Sequence, residues 1–146
     1  MVVFHTDLDN TIIYSYKHDI GADKRCVELY HDREISYITG ETYRLLKQVR
    51  AKEQQVMIVP TTTRTIEQYQ RIDLGIGTVS CALVCNGGVL LSDGREDEEW
   101  YRGSLERIAG SRDTLCEALF LLEKEPRRSF ELRLIRDLFV FTKCEE

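Results

Sequence analysis

The 146-residue sequence predicts an α/β fold, a parallel sheet wound with helices over its N-terminal part and followed by the start of an α+β unit. Three observations predict it. Short continuous apolar runs at residues 2–6, 55–59 and 82–85 stop abruptly at Asp7, Pro60 and Asn86. Such runs suit strands buried on both faces of a parallel sheet. From Gly40 the pattern shifts to helical spacing before the second run begins, and strand, excursion, helix, strand, helix is the order of a doubly wound fold.

The first strand ends in Asp7-Leu8-Asp9-Asn10-Thr11, rich in turn formers. Residues 12–38 alternate loosely through Ile12, Ile13, Tyr14 and Tyr16, then Val27, Leu29, Tyr30, Ile35 and Tyr37. They read as a hairpin excursion with the polar stretch Asp19 to Arg25 at its turn. Thr42, Leu45, Leu46 and Val49 then share one helical face. The second strand runs into Pro60-Thr61-Thr62-Thr63-Arg64, and Ile66, Tyr69 and Ile72 follow at steps of three. Thr65 with Gln68 forms a capping box, which starts a helix near Ile66. After the link Leu74-Gly75-Ile76-Gly77-Thr78, the third strand meets Asn86-Gly87-Gly88, a tight turn that returns Val89-Leu90-Leu91 as a hairpin.

Acidic residues from Asp93 to Glu99 mark a solvated boundary, so the domains read as 1–92 and 93–146. In the second, Leu115, Leu119 and Leu122 share a helical face. Phe130, Leu132 and Leu134 alternate with charges, and Leu138 to Phe141 is apolar.

Composition narrows the function. A hydrophobic share of 42% and a charged share of 31% are those of a soluble globular protein. A net charge of −5 leaves no basic surplus for nucleic-acid phosphates. No apolar run approaches the roughly 20 residues that span a bilayer, and the N-terminus lacks a basic region before an apolar stretch, which predicts a cytoplasmic protein. Cys81 and Cys85 sit in an apolar segment and read as buried thiols.

The chemistry concentrates at two strand ends. Asp7 and Asp9 place two carboxylates two residues apart where open α/β sheets bind ligands. Like charges that close resist joint ionisation, and a hard cation such as Mg²⁺, which takes oxygen ligands, resolves the conflict. One aspartate can then attack phosphorus while the other handles the proton. Thr61-Thr62-Thr63-Arg64 ends the second strand before a helix, where hydroxyls and amides favour an anion.

These motifs resemble the haloacid dehalogenase superfamily. An apolar strand followed by D-x-D-x-T matches Val2 to Thr11, and a strand ending in threonine matches Val56 to Thr62. Thr62-Thr63-Arg64 is similar to the Thr-Gly-Arg of sugar phosphatases, and Thr62-Thr63-Arg64-Thr65 to the Thr-Ser-Lys-Thr of mannosyl-phosphoglycerate phosphatases. Val84-Cys85-Asn86-Gly87-Gly88 resembles the segment preceding the large cap of the Cof-like and sucrose-phosphatase-like branch. The resemblance implies a Rossmannoid parallel sheet with the start of an α+β cap. It makes Asp7 the nucleophile that forms an aspartyl-phosphate, Asp9 the general acid/base, and Thr62 the hydroxyl holding the phosphoryl group. Thr63 and Asn10 join it in binding phosphate, Thr11 shapes the loop and Asn86 supports the site. Mg²⁺ binds the Asp7 carboxylate and the Asp9 main-chain carbonyl. The substrate implied is a small phosphorylated metabolite of the sugar-phosphate kind.

The sequence also departs from that pattern. The family's lysine and its Gly-Asp-x-x-x-Asp motif follow the cap, and neither occurs after residue 96. The expectation is a chain truncated within the cap, complemented by a further segment or by self-association, because half a parallel sheet leaves an unpaired edge and apolar faces. A non-catalytic module that binds metal or phosphate, a phosphomutase using the same aspartates, and a response-regulator-like phosphoacceptor remain as alternatives. The last would need its aspartate where Pro60-Thr61-Thr62 stands.

Overall fold

Parallel pairing of the first two apolar runs organises the N-terminal unit. In the computed structural model, which describes residues 1–145, strand β1 (Val2–Thr6) is followed by β2 (Tyr14–Ser15), β3 (Lys24–Tyr30) and β4 (Arg33–Thr39). Helix α1 (Gly40–Arg50), strand β5 (Val56–Pro60) and the short helix α2 (Ile66–Gln70) come next, then β6 (Cys81–Val84), β7 (Val89–Ser92) and β8 (Arg95–Glu96). β1 lies parallel to β5, from Val2 opposite Val56 to Thr6 opposite Pro60. Pro60 has no N–H to donate, which suits the last rung of a ladder. A parallel bridge between Thr61 and Leu83 carries the pairing on to β6. β6, β7 and β8 then continue as an antiparallel meander. The architecture is mixed α/β, a small parallel sheet joined to antiparallel ones.

The expected burial of the first strand is corrected. Val2, Val3 and Phe4 are 64%, 47% and 41% exposed. Among the described residues β1 has a single strand neighbour, β5, so its apolar run lies at an edge rather than between two strands. The core forms deeper, from Leu8, Ile13, Ile38, Val84 and Val89, all fully buried.

The excursion also turns elsewhere than expected. β2 and β3 both pair with β4, and the tight turn is His31-Asp32, at φ 48° and 60°. Two consecutive positive φ values match the right-handed twist of the flanking strands, and aspartate tolerates them better than most residues. The stretch from Asp19 instead lies in the connection between β2 and β3, residues 16–23, and its last two residues, Lys24 and Arg25, begin β3. The hairpin after β6 forms as read, with Cys85, Asn86 and Gly87 all at positive φ.

Local signals place both helices. Thr39 caps α1 by accepting the Thr42 amide at 3.1 Å. At α2 the capping box is complete, Thr65 and Gln68 each bonding the other's amide at 3.3 and 3.0 Å.

The N-terminal compact unit ends at Asp97 and the second begins at Glu98. The second holds α3 (Glu98–Ile108), a 3-10 turn at Ala109–Ser111, α4 (Arg112–Glu123) and a hairpin of β9 (Arg133–Ile135) with β10 (Phe139–Phe141). Helix α3 occupies a segment whose first residues read as a solvated boundary. Glu98 and Glu99 favour a helix N-terminus electrostatically, and Trp100, Tyr101, Leu105 and Ile108 recur at helical spacing. Neither α3 nor α4 contains a fully buried residue. Among the described residues no helix is long and apolar enough to cross a membrane.

Candidate functional site

The carboxyl ends of β1, β5 and β6 are stitched together by main-chain hydrogen bonds. The Thr61 amide donates to the Thr6 carbonyl at 2.8 Å, Thr62 to Leu83 at 2.9 Å, and Asn86 to Thr62 at 3.0 Å. Asp7, Thr62 and Asn86 therefore belong to one edge of the unit, the edge at which open sheets of this kind bind ligands.

Asp7 is exposed, and its Oδ1 accepts the Leu8 amide at 2.8 Å. The loop after it is held from below. Leu8, Ile12 and Ile13 are buried, and the Leu8 carbonyl accepts the amides of Ile12 and Ile13, both at 2.9 Å. Asn10 crosses the tip at φ 59°, a conformation that asparagine adopts readily, and its amide donates to Ile13 at 2.8 Å. Apolar anchors inside a tight turn leave the polar side chains of the motif facing out.

Thr62 is 3% exposed, and its hydroxyl accepts the Arg64 amide at 3.2 Å. Thr63 is exposed at the surface. His5 on β1 meets the Thr61 hydroxyl at 3.3 Å.

Asp9 is engaged differently from Asp7. Its two oxygens receive Arg64 Nε and Nη2, each at 2.8 Å, in a bidentate ion pair. The third nitrogen, Arg64 Nη1, donates to Glu28 Oε2 at 2.9 Å. Glu28 has no exposed side chain, and it also accepts the Ser36 hydroxyl at 2.6 Å and Arg71 Nη2 at 3.1 Å. Burial works against the Arg64 charge, but Asp9 and Glu28 outweigh it and raise the guanidinium pKa above its ordinary value.

No family model and no curated protein matches the chain. The geometry brings Asp7, Asp9, Asn10 and Thr62 to one edge, and ties Asp9 through Arg64 to Glu28; the motifs contained Arg64 without giving it a role, and did not reach Glu28. Arg64 was within reach of the sequence, as the only cation between β5 and α2. Glu28 sits mid-strand on β3 and gives no local signal.

The family resemblance would have a metal held by the Asp7 carboxylate, which is exposed, and by the Asp9 main-chain carbonyl. Among the described residues no group of three His, Cys, Asp or Glu side chains converges to hold an ion. Two protein oxygens suit Mg²⁺ only where water and a substrate phosphate complete its shell.

Proposed function

We propose that this chain carries the nucleophile of a phosphatase of the haloacid dehalogenase type, with a Rossmannoid core, acting on a small phosphorylated metabolite with Mg²⁺. One observation supports it above the others. An aspartate stands exposed at the carboxyl end of a parallel strand, and the neighbouring strand end carries a buried threonine.

Asp7 Oδ1 is fixed by the Leu8 amide, which leaves Oδ2 to attack phosphorus. The bond from phosphorus to the leaving oxygen breaks as the aspartyl-phosphate forms, and Asp9, after leaving Arg64 and taking up a proton from water, supplies that proton to the leaving oxygen. Water then attacks the aspartyl-phosphate and returns a proton to Asp9, which releases phosphate and restores Asp7. Thr62, Thr63 and Asn10 hold the phosphoryl oxygens. The Asp7 carboxylate and the Asp9 main-chain carbonyl would hold Mg²⁺, which would supply positive charge opposite the phosphoryl oxygens.

The expected result is Mg²⁺-dependent hydrolysis of an aryl phosphate by the 146-residue chain, abolished in Asp7→Asn with an unchanged circular dichroism spectrum. Equal activity in the variant overturns the assignment. A second reading, a phosphate-binding module without turnover, is favoured by the closed Asp9–Arg64 pair. Phosphate binding without hydrolysis in either protein would select it.

A further inference from the structure

We propose that Arg64 is a phosphate-binding residue whose guanidinium fork is held by Asp9 until an anion displaces it. The proposal rests on the phosphoryl-transfer reading of this edge and adds a ligand to it.

The two sides of Arg64 are unlike. On one, Nη1 is fixed to Glu28, which has no exposure, and Glu28 is locked in turn by Ser36 and Arg71. On the other, Nε and Nη2 pair with Asp9, whose side chain is 44% exposed. Opening the Asp9 side returns one carboxylate to water, whereas opening the Glu28 side strands a buried one. The main chain of Arg64 is fixed as well, its amide to Thr62 and its carbonyl to the Cys85 amide at 2.7 Å. When the pair opens, Asp9 is thus the partner that moves, and the fork stays in place.

The vacated edge has a defined chemistry. Nε and Nη2 present two parallel N–H donors, a geometry that matches two oxygens of a phosphate as well as those of a carboxylate. Asp9 is the internal stand-in for that anion. The residue that the mechanism needs free is the one an arriving phosphate would release, so binding and readiness of Asp9 are coupled through one guanidinium.

Competition for one fork makes a specific prediction. Asp9→Asn removes the negative charge that competes for Arg64, so inorganic phosphate should bind this variant about tenfold more tightly than the wild type, a coupling of the usual size. Isothermal titration of the full chain with inorganic phosphate, in the absence of Mg²⁺, measures it. Arg64→Lys keeps the charge without the fork and should weaken binding at least several-fold. In the wild type, the Arg64 Nε–H resonance should shift along the same titration. Equal affinity for phosphate in wild type and Asp9→Asn overturns the proposal, as does an Arg64 resonance that stays fixed while phosphate binds. Absence of phosphate binding in all three proteins also overturns it. None of these outcomes touches the Asp7 assignment, which is read separately from hydrolysis by Asp7→Asn.

Discussion

Glu28 faces two guanidinium groups and a hydroxyl while fully withdrawn from water. A carboxylate in that position is stable only because its partners replace the lost hydration. Truncating it leaves Arg64 and Arg71 with an uncompensated buried edge. Glu28→Ala is therefore expected to lower unfolding stability by about 3–5 kcal/mol, the range for breaking a buried ion pair on one side. Urea midpoints for the two proteins check the figure, and a loss near zero would show that the network is replaced by water. The same residue marks where sequence reading stops. Asp7, Asp9 and Thr62 stood out because contiguous motifs at strand ends announce them. Glu28 lies 36 positions from Arg64, on a strand that bridges from Glu28 to Ile72 just beyond α2. A charge in the middle of a β strand reads as a solvated face until the topology covers it.

Individual elements were legible where a local interaction decides them. The Thr65–Gln68 capping box and the turn at Asn86-Gly87 formed because side-chain and backbone chemistry within four residues suffices. The turn of the excursion was misplaced because polarity was taken as its marker, whereas His31-Asp32 turns through positive φ. Helix α2 adds a titratable probe of its packing. Burial pushes the Tyr69 hydroxyl up to about 12. An unfolded tyrosine releases its proton near 10, so the folded pKa is the raised one. The neutral buried form contributes stability that is complete below pH 10 and is lost as pH rises through about 12. Wild-type stability should fall by on the order of 1 kcal/mol between pH 9 and pH 11 through this group. Tyr69→Phe should flatten that part of the decline. Parallel urea unfolding at the two pH values tests it, and an identical decline in both proteins would remove Tyr69 as its source.

At the scale of the whole molecule, burial is uneven. The N-terminal unit encloses a core from Leu8 to Leu91, whereas the helices of the second unit bury no residue completely. Pattern alone could not show this, because periodicity reports which face is apolar and not what covers it. β1 is the clearest case. Its sequence reads as a central strand, yet Val2, Val3 and Phe4 stand open on both faces, and β5 is its one strand neighbour among the described residues. An exposed strand edge with apolar side chains is a template for another strand. A second copy of this chain offers the same edge, so two molecules can pair β1 to β1 and cover Val3 and Phe4 mutually. Sedimentation velocity at micromolar concentrations, where such surfaces begin to associate, should show a concentration-dependent shift above monomer. Val3→Lys places a charge within that contact and should return the chain to monomer without altering the core, since Val3 is 47% exposed. A wild type that sediments as a monomer across that range would refute the pairing. An association that Val3→Lys leaves unchanged would move the interface away from β1.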